Sequence, residues 1–201
     1  MFTGIVEAIG KVVDIASEGD NLHFRIASPI SSELKIDQSV SHSGVCLTVV
    51  AVENNTHVVT AVRETLSKTT LSQWRIGSLV NLERCMPANG RFDGHFVQGH
   101  IDQVGICTHI ADENGSWRYR FVYDSSTGNF TVEKGSIAVD GVSLTVIDSQ
   151  TGSFSVAIIP YTYHHTTFHT LQIGQQVNLE FDVIGKYIKR VMELHFAQWK
   201  N

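Results

Sequence analysis

The chain has 201 residues, 42% of them hydrophobic, and a formal net charge of −5 with no run of Lys or Arg, which excludes the electrostatic footprint of a nucleic-acid or anionic-membrane binder. No apolar stretch approaches the roughly 18 residues of a spanning helix, and residues 1–6 lack a basic segment followed by a long apolar one, so a cytoplasmic protein with no membrane partner is expected. Cys46, Cys85 and Cys107 are odd in number and form no C-x-x-C pair, so they are expected as thiols, without a disulfide framework or zinc site.

Short β-branched runs separated by turn residues predict an all-β chain. Strands are expected at residues 5–15, 22–27, 39–43, 45–52, 57–62 and 79–84, with Ser43-Gly44 as a tight hairpin or Gly-bearing bulge. Residues 64–71 contain neither Gly nor Pro and predict a short helix, capped by Thr65, that closes one end of a barrel. Residues 87–94, Pro87-Ala88-Asn89-Gly90-Arg91-Phe92-Asp93-Gly94, read as a linker. Further strands follow at residues 100–110, 117–123, 136–139, 142–148, 153–159 and 176–182, with Asp140-Gly141 as the turn and a helix at 162–168 capped by Thr162. From Lys186 to Trp199 the period changes, and Ile188, Val191, Met192, His195 and Trp199 fall on one helical stripe. Such a helix, outside two complete barrels, either packs back on its own chain or builds an oligomer.

The two sets of strands are one segment written twice. Val40-Ser41-His42-Ser43-Gly44-Val45-Cys46-Leu47-Thr48 returns 97 positions later as Ile137-Ala138-Val139-Asp140-Gly141-Val142-Ser143-Leu144-Thr145. Val80-Asn81-Leu82-Glu83 returns at the same offset, whereas Gly4-Ile5-Val6 meets Gly99-His100-Ile101 at an offset of 95. A repeat of this length exceeds the roughly 20–50 residues of a solenoid unit, so each copy is expected to be a domain with its own core. The fold class is therefore all-β: two tandem six-stranded antiparallel Greek-key-type barrels related by duplication, with a C-terminal α-helix. The expected units are residues 1–86, a linker at 87–94, residues 95–185, and an oligomerisation helix at 186–201. Duplicated domains suggest duplicated binding sites, and positions where the copies differ become candidates for chemistry.

Several blocks together carry a resemblance: Met1-Phe2-Thr3-Gly4-Ile5-Val6, Gly44-Val45-Cys46-Leu47-Thr48-Val49, Glu64-Thr65-Leu66, Asn81-Leu82-Glu83-Arg84, Gly94-His95-Phe96-Val97-Gln98-Gly99-His100 and Asp140-Gly141-Val142-Ser143-Leu144-Thr145. In this order and spacing the chain resembles the riboflavin synthase family through to its final helix. The resemblance implies a transferase in which two molecules of 6,7-dimethyl-8-ribityllumazine exchange a four-carbon unit, giving riboflavin and 5-amino-6-(ribitylamino)uracil. One heterocycle is both donor and acceptor, so no redox cofactor and no metal is implied. Also implied is a homotrimer held partly by the C-terminal helices, with the reacting pair between the N-terminal barrel of one chain and the C-terminal barrel of the next. Lumazine synthase is a further partner that the resemblance leaves open.

Forming carbon–carbon bonds between two flat heterocycles requires them stacked at near-attack distance, and positioning alone removes several kcal/mol of barrier, on the order of 7–11 in good cases. The protein must also accept a proton from the acidic 7-methyl group and hydrogen-bond the anion. Substrate contacts are expected from Gly4, Ile5 and Val6, and equivalently from Gly99, His100 and Ile101. The strand edges Cys46-Leu47-Thr48 and Ser143-Leu144-Thr145 can read the pyrimidinedione, with the Thr48 and Thr145 hydroxyls available to ring atoms or ribityl hydroxyls. Thr60, Ala61, Val62, Arg63, Glu64 and Thr65 in one copy, and Ile158, Ile159, Pro160, Tyr161 and Thr162 in the other, run into the helix starts and suit polyhydroxy chains. The Glu64 carboxylate has no counterpart.

The expected catalytic set is His100, Cys46, Ser39, Lys134, Asp140 and Ser143. His100 aligns with Ile5, so imidazole stands on one side only, with an unperturbed pKa near 6.5 suited to proton transfer. Cys46 aligns with Ser143; its ordinary reading is a buried structural thiol, whereas the resemblance places it beside the ligand, where it or a water adds to C7. Ser39 matches the family's active-site serine but aligns with Ser136. Lys134 aligns with Asp37 and can face a ring carbonyl or the anion. Asp140, before Gly141, is also explained by the turn alone. His164 and His165 lack a third ligand at a metal-site spacing, and His95 has no independent support. Ser43-Gly44 and Asp93-Gly94-His95 depart from the family's Asn-Gly and Gly-Gly-His. The motif set of residues 1–84 suggests that this copy binds lumazine or riboflavin alone. The competing reading is a non-catalytic lumazine- or flavin-binding optical protein of the same fold; such proteins typically lose cysteine or histidine positions that this chain keeps. A flavin oxidoreductase finds no support in a Gly-x-Gly-x-x-Gly fingerprint.

Overall fold

The computed structural model describes residues 1–198. The first barrel is built from β1 (Ala8–Glu18), β2 (Asn21–Ala27), β3 (Ser39–His42), β4 (Val45–Glu53), β5 (Thr56–Ala61), the helix α1 (Arg63–Lys68) and β6 (Leu79–Arg84). The second repeats it with β7 (Gln103–Asp112), β8 (Trp117–Val122), β9 (Ser136–Val139), β10 (Val142–Gln150), β11 (Ser153–Ile158), α2 (Pro160–His165) and β12 (Gln176–Phe181). Each is a closed antiparallel ring: the order β1-β2-β5-β4-β3-β6 is matched strand for strand by β7-β8-β11-β10-β9-β12. Closure removes the sheet edges that an open six-stranded sheet would expose.

Alternation sets the inside. Along β4, Val45, Leu47 and Val49 are buried while Thr48 and Val50 are exposed. Phe24, Ile26, Val40, Val59, Leu71 and Leu82 complete one core, and Tyr119, Phe121, Phe154, Phe168 and Phe181 make the other richer in aromatics. Leu71 and Phe168 come from short 3-10 turns that follow α1 and α2 and plug the barrels, as the helical segments were expected to do. The capping differs from expectation. Val62 and Ile159 precede α1 and α2 without a side-chain cap, Pro160 supplying a preset first turn, and Thr65 and Thr162 lie inside the helices. Thr69 and Thr166 cap the 3-10 turns, their hydroxyls accepting from Leu71 N and Phe168 N at 3.3 Å.

β1 and β7 start at Ala8 and Gln103, three residues later than expected, because the residues before them leave the barrels. Residues 1–7 and 94–102 form two arms that cross between the domains. Phe2 and Val97, equivalent at the offset of 95, pair as an isolated antiparallel bridge and mark a local two-fold axis. The β3–β4 and β9–β10 turns also meet, so closely that a Cβ on Gly141 would stand 2.6 Å from Gly44 N. Asn81 Nδ2 donates to Asp140 O at 2.9 Å, and its equivalent Asn178 donates to Ser43 O at the same distance. Their side-chain carbonyls accept from Thr167 N and Thr70 N, both at 2.8 Å. Ser43 and Asp140 take the left-handed conformation, φ +46° and +45°, so Ser43 fills a position that suits Asn without altering the turn.

The last helix, α3 (Val183–Gln198), starts three residues before the expected one, and Trp199 lies outside the described residues. Its polar side packs back: Lys186 pairs with Asp102 at 2.6 Å, and Lys189 Nζ donates to Gly128 O. Its apolar side, Ile184, Tyr187, Ile188, Val191, Met192, Leu194 and Phe196, points to solvent, with each residue half exposed or more. Among the described residues no helix is long and apolar enough to cross a membrane.

Candidate active site

The crossed arms regroup the site residues. Gly4 was grouped by sequence with the first copy, yet Ser143 N donates to Gly4 O at 2.8 Å, and Val6 packs on the core of the second barrel. Reciprocally, Cys46 N donates to Gly99 O at 2.9 Å, and Ile101 packs on the core of the first. Each barrel therefore presents a patch completed by the other copy's arm. Patch one joins Gly99, His100 and Ile101 to Cys46-Leu47-Thr48 and the 60–65 segment. Patch two joins Gly4, Ile5 and Val6 to Ser143-Leu144-Thr145 and the 158–162 segment.

Only glycine allows the arms to lie this close. Gly4 and Gly99 have φ +78° and +82°, and a Cβ on either would stand 2.6 Å from Ser143 Cβ or 2.5 Å from Cys46 Cβ. Beside them the expected strand edges exist. Pairing of β4 with β5 starts at Val49, and of β10 with β11 at Val146, so residues 46–48 and 143–145 pair fully only toward β3 and β9. Their other sides face the ends of β5 and β11; the arm carbonyls already take the Cys46 and Ser143 N–H groups, and the peptide groups beyond them can read a flat heterocycle.

The patches are open faces. His100, Ile5, Thr48, Thr145, Val62, Arg63, Glu64 and Pro160 are exposed, and Ile159 and Tyr161 remain 59% and 69% exposed. Ser39 and Ser136 sit across from Thr48 and Thr145 in the ladders. Lys134 is exposed in a left-handed turn, its N–H donating to Val146 O at 3.0 Å. Glu64 pairs with Lys68 at 3.0 Å, and Arg63 with Asp20 at 3.5 Å. Asp140 lies at the seam between barrels, where Oδ1 accepts from Asn178 N at 2.8 Å, and desolvation pushes its carboxyl up to about 7. His165 Nδ1 donates to Tyr161 O at 2.8 Å and the two rings stack at 4.0 Å, holding the Tyr161 side chain over the helix start.

Four features escaped the sequence. His95 Nδ1 lies 2.6 Å from Ser143 Oγ, and its Nε2 is buried without a hydrogen-bond partner among the described residues. Burial lowers the pKa of this imidazole, favouring the neutral form. Phe2 is fully buried, clustered with Val97 and Ala138 and backed by Cys46 and Cys85. Against the core of the second barrel, Trp117 stacks on Tyr163 with centroids 3.8 Å apart and planes at 9°, where the first copy has Leu22 and Leu66. Comparing the copies pair by pair would have found that difference. The fourth is a pair of buried carboxylates, Glu83 and Glu180, that accept from the backbone of the arms.

Two duplicated barrels complete each other's faces, and the lumazine binding domain matches residues 3–85 and again residues 98–182, so the chain is a duplicated lumazine-binding-domain protein. Riboflavin synthase from Actinobacillus pleuropneumoniae is 41% identical over 96% of this chain and 90% of its own. That of Bacillus subtilis (strain 168) is 39% identical over the same shares, and that of Schizosaccharomyces pombe (strain 972 / ATCC 24843) 37% over 99% and 97%. The chain belongs to the riboflavin synthase family. In fold it is also similar to LumP solved with riboflavin, at TM-score 0.82 and 23% identity over 90% of this chain and 98% of that one. A second LumP structure, with 6,7-dimethyl-8-(1'-D-ribityl) lumazine, superposes with TM-score 0.82 at 21% identity, covering 90% of this chain and 99% of that one.

Proposed function

We propose that the protein converts two molecules of 6,7-dimethyl-8-ribityllumazine into riboflavin and 5-amino-6-(ribitylamino)uracil, one heterocycle bound at each kind of patch. The observation that carries this reading is the pairing of two superimposable scaffolds with different reactive groups. Patch one carries Cys46 and His100 where patch two carries Ser143 and Ile5. Equivalent binding faces suit two copies of one substrate, and unequal side chains suit a donor and an acceptor. His100 accepts the 7-methyl proton, and the Cys46 thiol or a water adds at C7. Ser39, Ser143 and Lys134 complete the polar set, and Ser143 is oriented by His95; Asp140, at the seam between the barrels, acts from outside the two patches.

The patches lie open on the single chain, so stacking two rings calls for a second copy to cover them. The apolar stripe of α3 supports association, since Ile184, Tyr187, Val191 and Leu194 follow the 3-4-3 spacing of a coiled-coil seam. A cytoplasmic homotrimer, with patch one of one chain facing patch two of the next, is the assembly that fits this reading. Residues 1–86 and 95–185 are its two barrel units, and each patch takes its arm from the other unit.

The direct test is incubation of the purified protein with the lumazine alone. Riboflavin should form without an added oxidant or reductant; binding without turnover would assign the chain to the optical-protein reading. His100→Gln and Cys46→Ser should each lower kcat by about 10–100-fold with KM little changed, because proton transfer and addition act mainly in the transition state. Stacking persists in both variants. A double variant with wild-type turnover would remove the assigned roles.

The crossed arms argue against binding by a first copy that stays monomeric, since residues 1–86 lack Gly99, His100 and Ile101. Such a fragment should bind riboflavin only where two copies exchange their Gly4 arms, so fluorescence quenching should rise with dimer formation in sedimentation. Tight binding by a strictly monomeric fragment would contradict the regrouped site.

A further inference from the structure

We propose that Glu83 and Glu180 are positioning residues, each carboxylate fixing the arm that builds the ligand patch on the barrel opposite its own. Glu83, on β6, is 5% exposed; its Oε1 accepts from Thr3 N and Thr3 Oγ1, both at 2.7 Å, and its Oε2 from Gly4 N at 2.9 Å. Glu180, on β12, is 1% exposed; its Oε1 accepts from Gln98 N at 2.6 Å and its Oε2 from Gly99 N at 2.9 Å and His100 N at 3.1 Å. The two are equivalent at the offset of 97, so the duplication carries the device as well as the barrel.

The chemistry of the arms selects a carboxylate. Each arm turns through a left-handed glycine and directs several N–H groups at one point, and only an acceptor with no donor of its own satisfies them all. Two carboxylate oxygens offer about four lone-pair sites, whereas an amide places an NH₂ against an N–H. Desolvation opposes the charge at both residues and the arm's N–H groups favour it, so arm and carboxylate hold each other. With the N–H side of the glycine fixed on one barrel, its carbonyl is fixed on the other: Gly4 O on Ser143 N, Gly99 O on Cys46 N. Glu180, in the second barrel, thus sets the height of Gly99, His100 and Ile101 over patch one. Glu83, in the first, sets Gly4, Ile5 and Val6 over patch two.

The control is crossed, and that is the property to measure. The proposal rests on the reading of the two patches as lumazine sites, so a ligand readout is paired with one that needs no ligand. Riboflavin is titrated into the full chain with isoleucine-methyl NMR, Ile101 reporting patch one and Ile5 with Ile159 reporting patch two; amide exchange at Cys46 and Ser143 is followed without ligand. Glu180→Gln should weaken binding at Ile101 by about tenfold or more and speed exchange at Cys46, leaving Ile5, Ile159 and Ser143 unchanged. Glu83→Gln should do the reverse. Gly99→Ala and Gly4→Ala lie outside the barrel strands and should reproduce the two patterns if a glutamine variant folds poorly. Loss at the variant's own barrel, equal loss at both patches, or no loss would overturn the proposal. If the wild-type protein bound no riboflavin, the reading of the patches would fail, while exchange at Cys46 and Ser143 would still decide the positioning.

Discussion

Removal of residues 183–201 is expected to leave monomers that bind riboflavin but turn over the lumazine at least about 100-fold more slowly. The loss follows from geometry: two rings held on separate chains react only after a bimolecular encounter, and the advantage of pre-set stacking disappears. The barrels should persist, because both rings close without α3. Val191→Lys with Leu194→Lys is the gentler version, since it keeps the Lys186–Asp102 anchor and charges only the outward stripe. Sedimentation and riboflavin formation measured together decide it. An unchanged assembly, or monomers as active as the full chain, would refute an oligomer built through this helix.

Acid should destabilise the first barrel selectively. His42 and His57 are fully buried, their Nε2 atoms 2.9 Å apart. His42 Nδ1–H donates to Val40 O at 3.0 Å, so His42 Nε2 accepts from His57, and His57 Nδ1 accepts from Ser31 Oγ at 2.8 Å. Ser28 completes the chain by donating to Ser31, also at 2.8 Å. One set of neutral tautomers satisfies every ring nitrogen, and an added proton places a charge on a ring that burial keeps from water. Burial accordingly lowers His42 to about 3 and His57 to about 4 from 6.5. Both folded values lie below the unfolded one, so their stability is complete above pH 6.5 and is lost as pH falls toward the folded values. Each imidazole costs about 1.4 kcal/mol per pH unit in that window, on the order of 5 kcal/mol for the pair by pH 4.5. His42→Val with His57→Phe installs the second copy's own residues, Val139 and Phe154, and should remove the slope. Asp140, raised to about 7, acts with the opposite sign and is common to both proteins, so the difference between their denaturation curves isolates the histidines. Parallel curves from pH 7 to 4.5 would sink the prediction.

The barrels were legible because duplication and period-two alternation repeat the same information, and Leu79–Arg84 and Ser136–Val139 fall where they were expected. What alternation could not show is where a strand stops belonging to its barrel. Val6 continues the pattern of β1 while its side chain packs on the other core, since an apolar residue fits either. The same ambiguity hid the crossing of the sites: Gly4 and Gly99 were visible as equivalents, but which strand edge each meets is a long-range fact. Glu83 and Glu180 read as ordinary strand residues for that reason. The caps were misplaced because several threonines compete locally, and in both copies the residue four positions later faces the plug.

Reciprocal arms also set a schedule for assembly. The Gly4–Ser143 contact spans 139 residues and the Cys46–Gly99 contact 53, so each must wait for a costly loop closure after its own ring has formed. On the ribosome the first ring can close while its arm still has no strand to meet, because the edge that receives Gly4 lies on β10 of the second copy. Nascent chains growing side by side on one message would offer that loose arm to one another. Synthesis rate and chain crowding, rather than the stability of either ring, then govern how often the arms close within one molecule.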